Sequence, residues 1–164
     1  MRQTEAVNLI REGVLTGTTQ YWADLGCGGG TFTIALAELL PAGSEILAFD
    51  LKKQNLPEKH SDVTIRFEQL DFVKGQLPHS NLDGILMANS LHYVRDKSAL
   101  IKRLASPRFI IVEYESRMPN PWVPYPVNSE KLANLFSSLG YTAQYLANTP
   151  SRFGGGMYSL LAVK

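Results

Sequence analysis

Two rhythms of apolar and polar residues alternate along the chain, and each change of rhythm marks an element boundary. Residues 21–25, 45–49 and 82–88 are short, nearly continuous apolar runs, as parallel strands buried on both faces should be. Residues 63–67 instead alternate apolar and polar side chains, as a strand near a sheet edge does, and 109–113 adds a fifth strand. Between these runs the apolar positions widen to helical spacing. Phe32, Ile34, Leu36, Leu39 and Leu40 predict a helix over 31–40, closed by Pro41-Ala42-Gly43. Asp96 caps a helix through Leu104, and Asn128 or Ser129 caps another through Leu139, ended by Gly140. A shorter amphipathic helix over 4–11, carrying Ala6, Val7, Leu9 and Ile10, comes first and is expected to pack over an edge of the ligand site. The chain closes on two β-rich runs, 141–146 and 157–163. Strands that alternate with helices five times imply one α/β domain over 1–164, with a mostly parallel sheet and helices on both faces.

Three stretches depart from this rhythm. The crossover over 51–61 contains Pro57, which leaves room for only a turn or two of helix. Residues 75–81, with Pro78 inside, are too short and broken for one. Residues 116–127 are rich in proline and aromatic side chains (Pro119, Pro121, Trp122, Pro124, Tyr125, Pro126), and a loop of that length inside a compact domain suits a lid or pocket wall.

Composition narrows the classes of function. At 164 residues the chain has the length of one ordinary domain. A net charge of +1, with 19 % charged residues, gives no bulk attraction to phosphate backbones or anionic lipid, so nucleic acid is not indicated. No apolar run approaches the ~20 residues of a membrane span, and residues 1–11 lack the apolar centre of a signal peptide, so a cytoplasmic protein is expected. The single cysteine, Cys27, can form neither an internal disulfide nor a multi-cysteine zinc site; it reads as a small residue tolerated in a glycine turn, and no metal site is expected.

The first strand ends in Asp24-Leu25 and opens directly into Gly26-Cys27-Gly28-Gly29-Gly30, followed by a helix. A glycine turn at the carboxyl end of a parallel strand lets backbone approach a ligand closely, and the free N–H groups opening the helix attract electron-rich groups. Two phosphate-binding versions of this turn fit poorly. The dinucleotide fingerprint counted from Gly26 needs glycine where Thr31 stands, and a Walker loop needs a Gly-Lys-Ser/Thr ending that is absent.

The stretch resembles the first motif of class I S-adenosylmethionine-dependent methyltransferases, whose acid, apolar residue, Gly, any residue, Gly, any residue, Gly is met by Asp24 to Gly30. Asp50 after the second strand, Asp71 near the end of the third and the 82–93 segment match later motifs in order, and the likeness extends over 21–164. It implies a Rossmann-like, doubly wound, mostly parallel seven-stranded sheet with an antiparallel last strand, and S-adenosylmethionine as cofactor. By the same resemblance Asp24, Gly26, Gly28, Gly30 and Asn89 would hold the methionine end. Asp50 would accept the ribose hydroxyls, with Leu51, Asp71 and Phe72 around the adenine.

Methyl transfer is an in-line displacement that needs alignment above all, and a base only for acceptors that must lose a proton. His92 and Tyr93, just past the fourth strand, are the candidate catalytic residues, and Trp122, Tyr125, Arg117 and Arg152 are candidates to line or clamp an acceptor. The Asn-Pro-Pro-Tyr/Phe motif of amino-methylating members is replaced by Asn89-Ser90-Leu91-His92, which lowers adenine and glutamine amides as acceptors. Only 20 residues precede Tyr21, so the 116–127 loop is the expected cover. The acceptor is then either a small molecule held under that loop, with a second subunit of a homodimer as further cover, or a macromolecule reaching an open site. A module of this family that binds cofactor or partner without turnover is the remaining alternative.

Overall fold

The computed structural model describes residues 1–78, 81–116, 118–151 and 155–164. Eight strands form one sheet: β1 (Tyr21–Leu25), β2 (Glu45–Asp50), β3 (Lys59–His60), β4 (Val63–Gln69), β5 (Gly84–Ala88), β6 (Arg108–Tyr114), β7 (Thr142–Pro150) and β8 (Gly156–Val163). Their spatial order is β3-β4-β2-β1-β5-β6-β8-β7. Strands β4, β2, β1, β5 and β6 pair in parallel. The last strand, β8, inserts antiparallel between β6 and β7. The seven expected strands are all present, and β3 is an eighth, a two-residue antiparallel partner of β4.

Alternation along the strands divides the core between two faces. Trp22, Ile46, Ile65, Leu86 and Ile110 pack with helices α1 (Gln3–Ile10) and α2 (Thr31–Leu39). Ala23, Leu47, Ile85, Met87 and Phe109 face the other way, against α3 (Lys97–Leu104) and α4 (Ser129–Ser138). Asp96 and Asn128 cap the latter two helices, accepting from Ala99 N–H and Lys131 N–H. Gly84 opens β5 directly under the fully buried Trp22 ring, where a Cβ would lie 2.5 Å from its Cη2; glycine there lets the indole lie flat on the sheet.

The one crossover that departs from expectation is that over 51–61, where the sequence leaves room for a turn or two of helix. No helix forms between β2 and β4; the chain instead runs out to β3, and Leu56 folds back over Gly30. Between β4 and β5 the described residues form no helix, as the broken 75–81 stretch implies, only a turn after Asp71. Five strand ends thus share one edge, with the glycine turn at their centre.

Candidate functional site

The site is built around the sharp exit of β1. Gly26 N–H and Cys27 N–H both donate to the Phe49 carbonyl, at 2.8 and 3.0 Å, which folds the glycine turn against the end of β2. Gly28 N–H and Lys52 N–H then donate to the two carboxylate oxygens of Asp50, each at 2.9 Å. On the other side the Ser90 hydroxyl donates to the Leu25 carbonyl at 2.5 Å, and Asn89 N–H donates to Val112 O at 2.8 Å. Asn89 itself sits in the left-handed region, with φ +54°. The ends of β1, β2, β5 and β6 are thereby joined through backbone groups, the Ser90 hydroxyl and the Asp50 carboxylate.

Asp24 is the electrostatic centre of this arrangement. It is 1 % exposed; the Thr33 hydroxyl donates to its Oδ2 at 2.6 Å, and its Oδ1 has no partner. Burial pushes its carboxyl up to about 7, against the pull of the Thr33 hydrogen bond, and Asp50 adds a smaller push. Among the described residues three buried side-chain polar atoms lack a hydrogen-bond partner, and two of them are acceptors here, Asp24 Oδ1 and Asn89 Oδ1. A buried unpaired acceptor is costly, so two beside one cavity fit a ligand that brings donors, ideally a cationic amino group. The methionine end of S-adenosylmethionine is such a group. Cys27 is buried and burial pushes its thiol far up, so it stays a small neutral wall residue.

That cavity has a volume of about 650 Å³. Asp24, Gly26, Gly28 and Asn89 line it, together with side chains that sequence reasoning did not single out: Arg2 and Glu5 of α1, Tyr114 at the end of β6, and Thr149 and Ser151 beside the β7–β8 connection. The Arg2 backbone N–H and guanidinium all donate to the Glu5 carboxylate, and these bonds hold the Glu5 carboxyl below its usual range. Burial, with Glu113 and Tyr93 nearby, pushes the Tyr114 phenol up, so it stays neutral.

The remaining expected residues fall on two other sides. Gly30, Asp50, Leu51, Asp71 and Phe72 lie outside this cavity. Asp50 and Leu51 are at and just past the end of β2, Asp71 and Phe72 are past β4, and Gly30 caps α2 with φ +87°. Asp71 caps its own turn, accepting Val73 N–H at 3.0 Å. His92 and Tyr93 also lie off the cavity, in a short 3-10 turn (Leu91–Tyr93). His92 is 2 % exposed, and its Nδ1 lies 2.7 Å from Glu113 Oε2 while its N–H donates to Oε1. Its ring packs against Tyr93 and Tyr114, so Tyr114 links it to the cavity wall. Tyr93 is 57 % exposed. Glu113 carried a visible signal, as an acid closing a buried apolar run just as Asp24 nearly closes β1.

The described residues of the 116–127 loop do not line the cavity either. Tyr125 N–H donates to His92 O, and Lys97 Nζ donates to both Val94 O and Tyr125 O at 2.8 Å, which pins the loop outside the 3-10 turn. Trp122, at the tip of a turn held by Asn120, is 67 % exposed. Arg117 and Arg152 lie outside the described residues. Among the described residues no three His, Cys, Asp or Glu side chains converge to hold a metal ion, and no helix is long and apolar enough to cross a membrane.

Comparison with known proteins agrees with this geometry. A family model described as a methyltransferase domain matches residues 23–106, just over half the chain. No curated protein sequence gives a significant match. Among solved structures, the YcgJ protein of Bacillus subtilis superposes with a TM-score of 0.71 at 13 % identity, covering 98 % of each chain. Magnesium protoporphyrin IX methyltransferase of Synechocystis, solved with bound S-adenosylhomocysteine, gives 0.66 at 16 % identity over 98 % of this chain and 81 % of its own. A cyclopropane-fatty-acyl-phospholipid synthase-like protein of Lactobacillus casei gives 0.68 at 12 %, over 99 % and 90 %. At these identities the superpositions speak to the fold, and the family match carries the rest. From the glycine turn through α3, the chain belongs to the methyltransferase domain family, class I enzymes of Rossmann-like fold that use S-adenosylmethionine.

Proposed function

We propose that this enzyme methylates a small polar molecule held between the glycine turn, the start of α1 and the end of the β7–β8 pair. The observation that carries this reading is one continuous cavity of about 650 Å³ that runs from Asp24, Gly26 and Asn89 to Arg2, Glu5, Tyr114 and Ser151. Its volume lies within the range of sites for small molecules. Its wall mixes both charges with hydroxyl groups, which suits a polar acceptor.

The cofactor, when bound, supplies an electrophilic methyl group on a sulfonium. Asp24 and Asn89 would take its amino group and Asp50 its ribose hydroxyls. The protein's own contribution is alignment, which at best is worth about 7–11 kcal/mol. Tyr114 is the side chain placed to touch the acceptor. His92 and Glu113 stand one layer behind it and act as positioning residues, holding Tyr114 and the Asn89 segment in place.

Asp50→Ala is expected to weaken S-adenosylhomocysteine binding at least about tenfold by isothermal titration, with an unchanged circular dichroism spectrum, because a charge-assisted contact and the Gly28 anchor are lost together. Equal affinity would place the ribose elsewhere. The acceptor half is tested by transfer of labelled methyl to a panel of metabolites. For the acceptor so found, Tyr114→Phe should lower kcat/KM by about tenfold while S-adenosylhomocysteine affinity stays within about twofold. A variant that loses both equally, or no transfer to any small molecule, would overturn the assignment.

A further inference from the structure

The turn after Asp71 is a single turn closed on one carbonyl. Asp71 O accepts Lys74 N–H and Gly75 N–H at 3.2 and 2.7 Å, and there is no next turn to take the carbonyls that follow. Arg103, in the last turn of α3, takes them instead. Its Nη2 donates to Phe72 O at 2.7 Å and to Val73 O at 2.9 Å, and its Nη1 donates to Gly75 O. Three carbonyls thus converge on one guanidinium. The planar fork serves all three in fixed directions, whereas the three rotatable donors of an ammonium impose no such directions.

This loop reaches the centre of the site. Phe72 is buried, and its Cε1 comes within 3.6 Å of the point where a Cβ on Gly26 would stand. A shift of the 72–75 turn therefore moves the ring that packs against the glycine turn, along with the Asp71 carboxylate one residue earlier. Among the described residues no helix joins β4 to β5, and a side chain from α3 braces the carbonyls of this wall from outside.

We propose that Arg103 is a positioning residue for the purine half of the cofactor site, holding Asp71 and Phe72 where they read the adenine edge. The proposal rests on the placement of the purine beside those two residues. It concerns discrimination between bases and not only affinity, because the staple fixes a direction of approach.

The test uses the full chain, its Arg103→Met and Arg103→Lys variants, and two ligands, S-adenosylhomocysteine and S-inosylhomocysteine, titrated calorimetrically alongside thermal unfolding. The wild type is expected to prefer the adenine ligand by at least about tenfold. Arg103→Met should weaken S-adenosylhomocysteine about tenfold and change S-inosylhomocysteine by less than about threefold, so that most of the preference disappears; Arg103→Lys should fall between. If Arg103→Met does not fold, Arg103→Lys carries the same comparison. An undiminished preference, or equal weakening of both ligands, would make Arg103 merely structural and overturn the proposal. A wild type that binds both ligands equally would overturn the purine placement, and the proposal with it.

Discussion

Gly26→Ala is expected to lower stability by about 2–5 kcal/mol and to weaken S-adenosylhomocysteine binding more than about a hundredfold. The reason is a collision that no rotamer can relieve. A Cβ on residue 26 would lie 2.5 Å from Ser90 Cβ, and Ser90 is itself held by its hydroxyl bond to Leu25 O. Residue 26 also has φ +82°, a left-handed conformation that costs a side chain about 1–2 kcal/mol. The only relief is to part the ends of β1 and β5, which displaces Asn89 from the cavity wall. Chemical denaturation measures the first effect and calorimetric titration the second. A variant that binds S-adenosylhomocysteine within about threefold of wild type would show that the two strand ends can separate at little cost.

Asp24 sets the second large effect, through pH. Its carboxyl titrates near 3.8 when unfolded and at about 7 in the folded chain without ligand. Between those values the folded state keeps a proton that the unfolded state has lost, so the stability of the free protein falls as pH rises through that window and levels off above it. A bound ammonium needs the ionised form, so below about pH 7 binding must expel that proton. Affinity for S-adenosylhomocysteine is therefore expected to rise with pH, by up to about tenfold per unit below about 7, and to flatten beyond. Asp24→Asn should abolish the slope and weaken binding at pH 8 by at least about tenfold, since a charge-assisted contact is lost. Titration from pH 5.5 to 8.5, in ~0.5-unit steps and in buffers of different ionisation enthalpy, counts the protons directly. A flat wild-type profile, or a slope that survives in Asp24→Asn, would remove Asp24 from the amino-group site.

Much of this was legible in the sequence because the physics there is local. Strands β1, β2 and β5 are buried on both faces and so appear as apolar runs, and the residues past their ends mark one edge of the sheet. The turn at Gly26 needs a residue type that only glycine supplies. What could not be read depends on partners distant in the chain. Arg2, Glu5, Thr149 and Ser151 come from opposite ends of the sequence to line one cavity, with no motif among them. The 116–127 loop has a lid's composition, yet Lys97 and His92 pin it elsewhere through backbone carbonyls, which any residue type could supply. Strand β3 is Lys59-His60, two polar residues whose pairing is dictated by the return of the chain and not by their side chains.

The crossovers, helix-free among the described residues, also make the two flanks of the sheet edge unequal in cohesion. On the methionine side the glycine turn lies between α2 and a sheet interior covered on both faces. On the side proposed for the purine, β4 has only a two-residue neighbour at the sheet edge, and the turn beyond it is held by Arg103 and the buried Phe72 ring. Cooperative units with little burial open at lower free energy than the domain as a whole. The β3–β4 flank is therefore expected to open first in the free enzyme, and at its proposed place the ligand's purine would supply packing that this flank lacks. Binding would then include a partial folding step, and its heat-capacity change, read by calorimetry at several temperatures, is expected to exceed that of a ligand docking into a rigid slot.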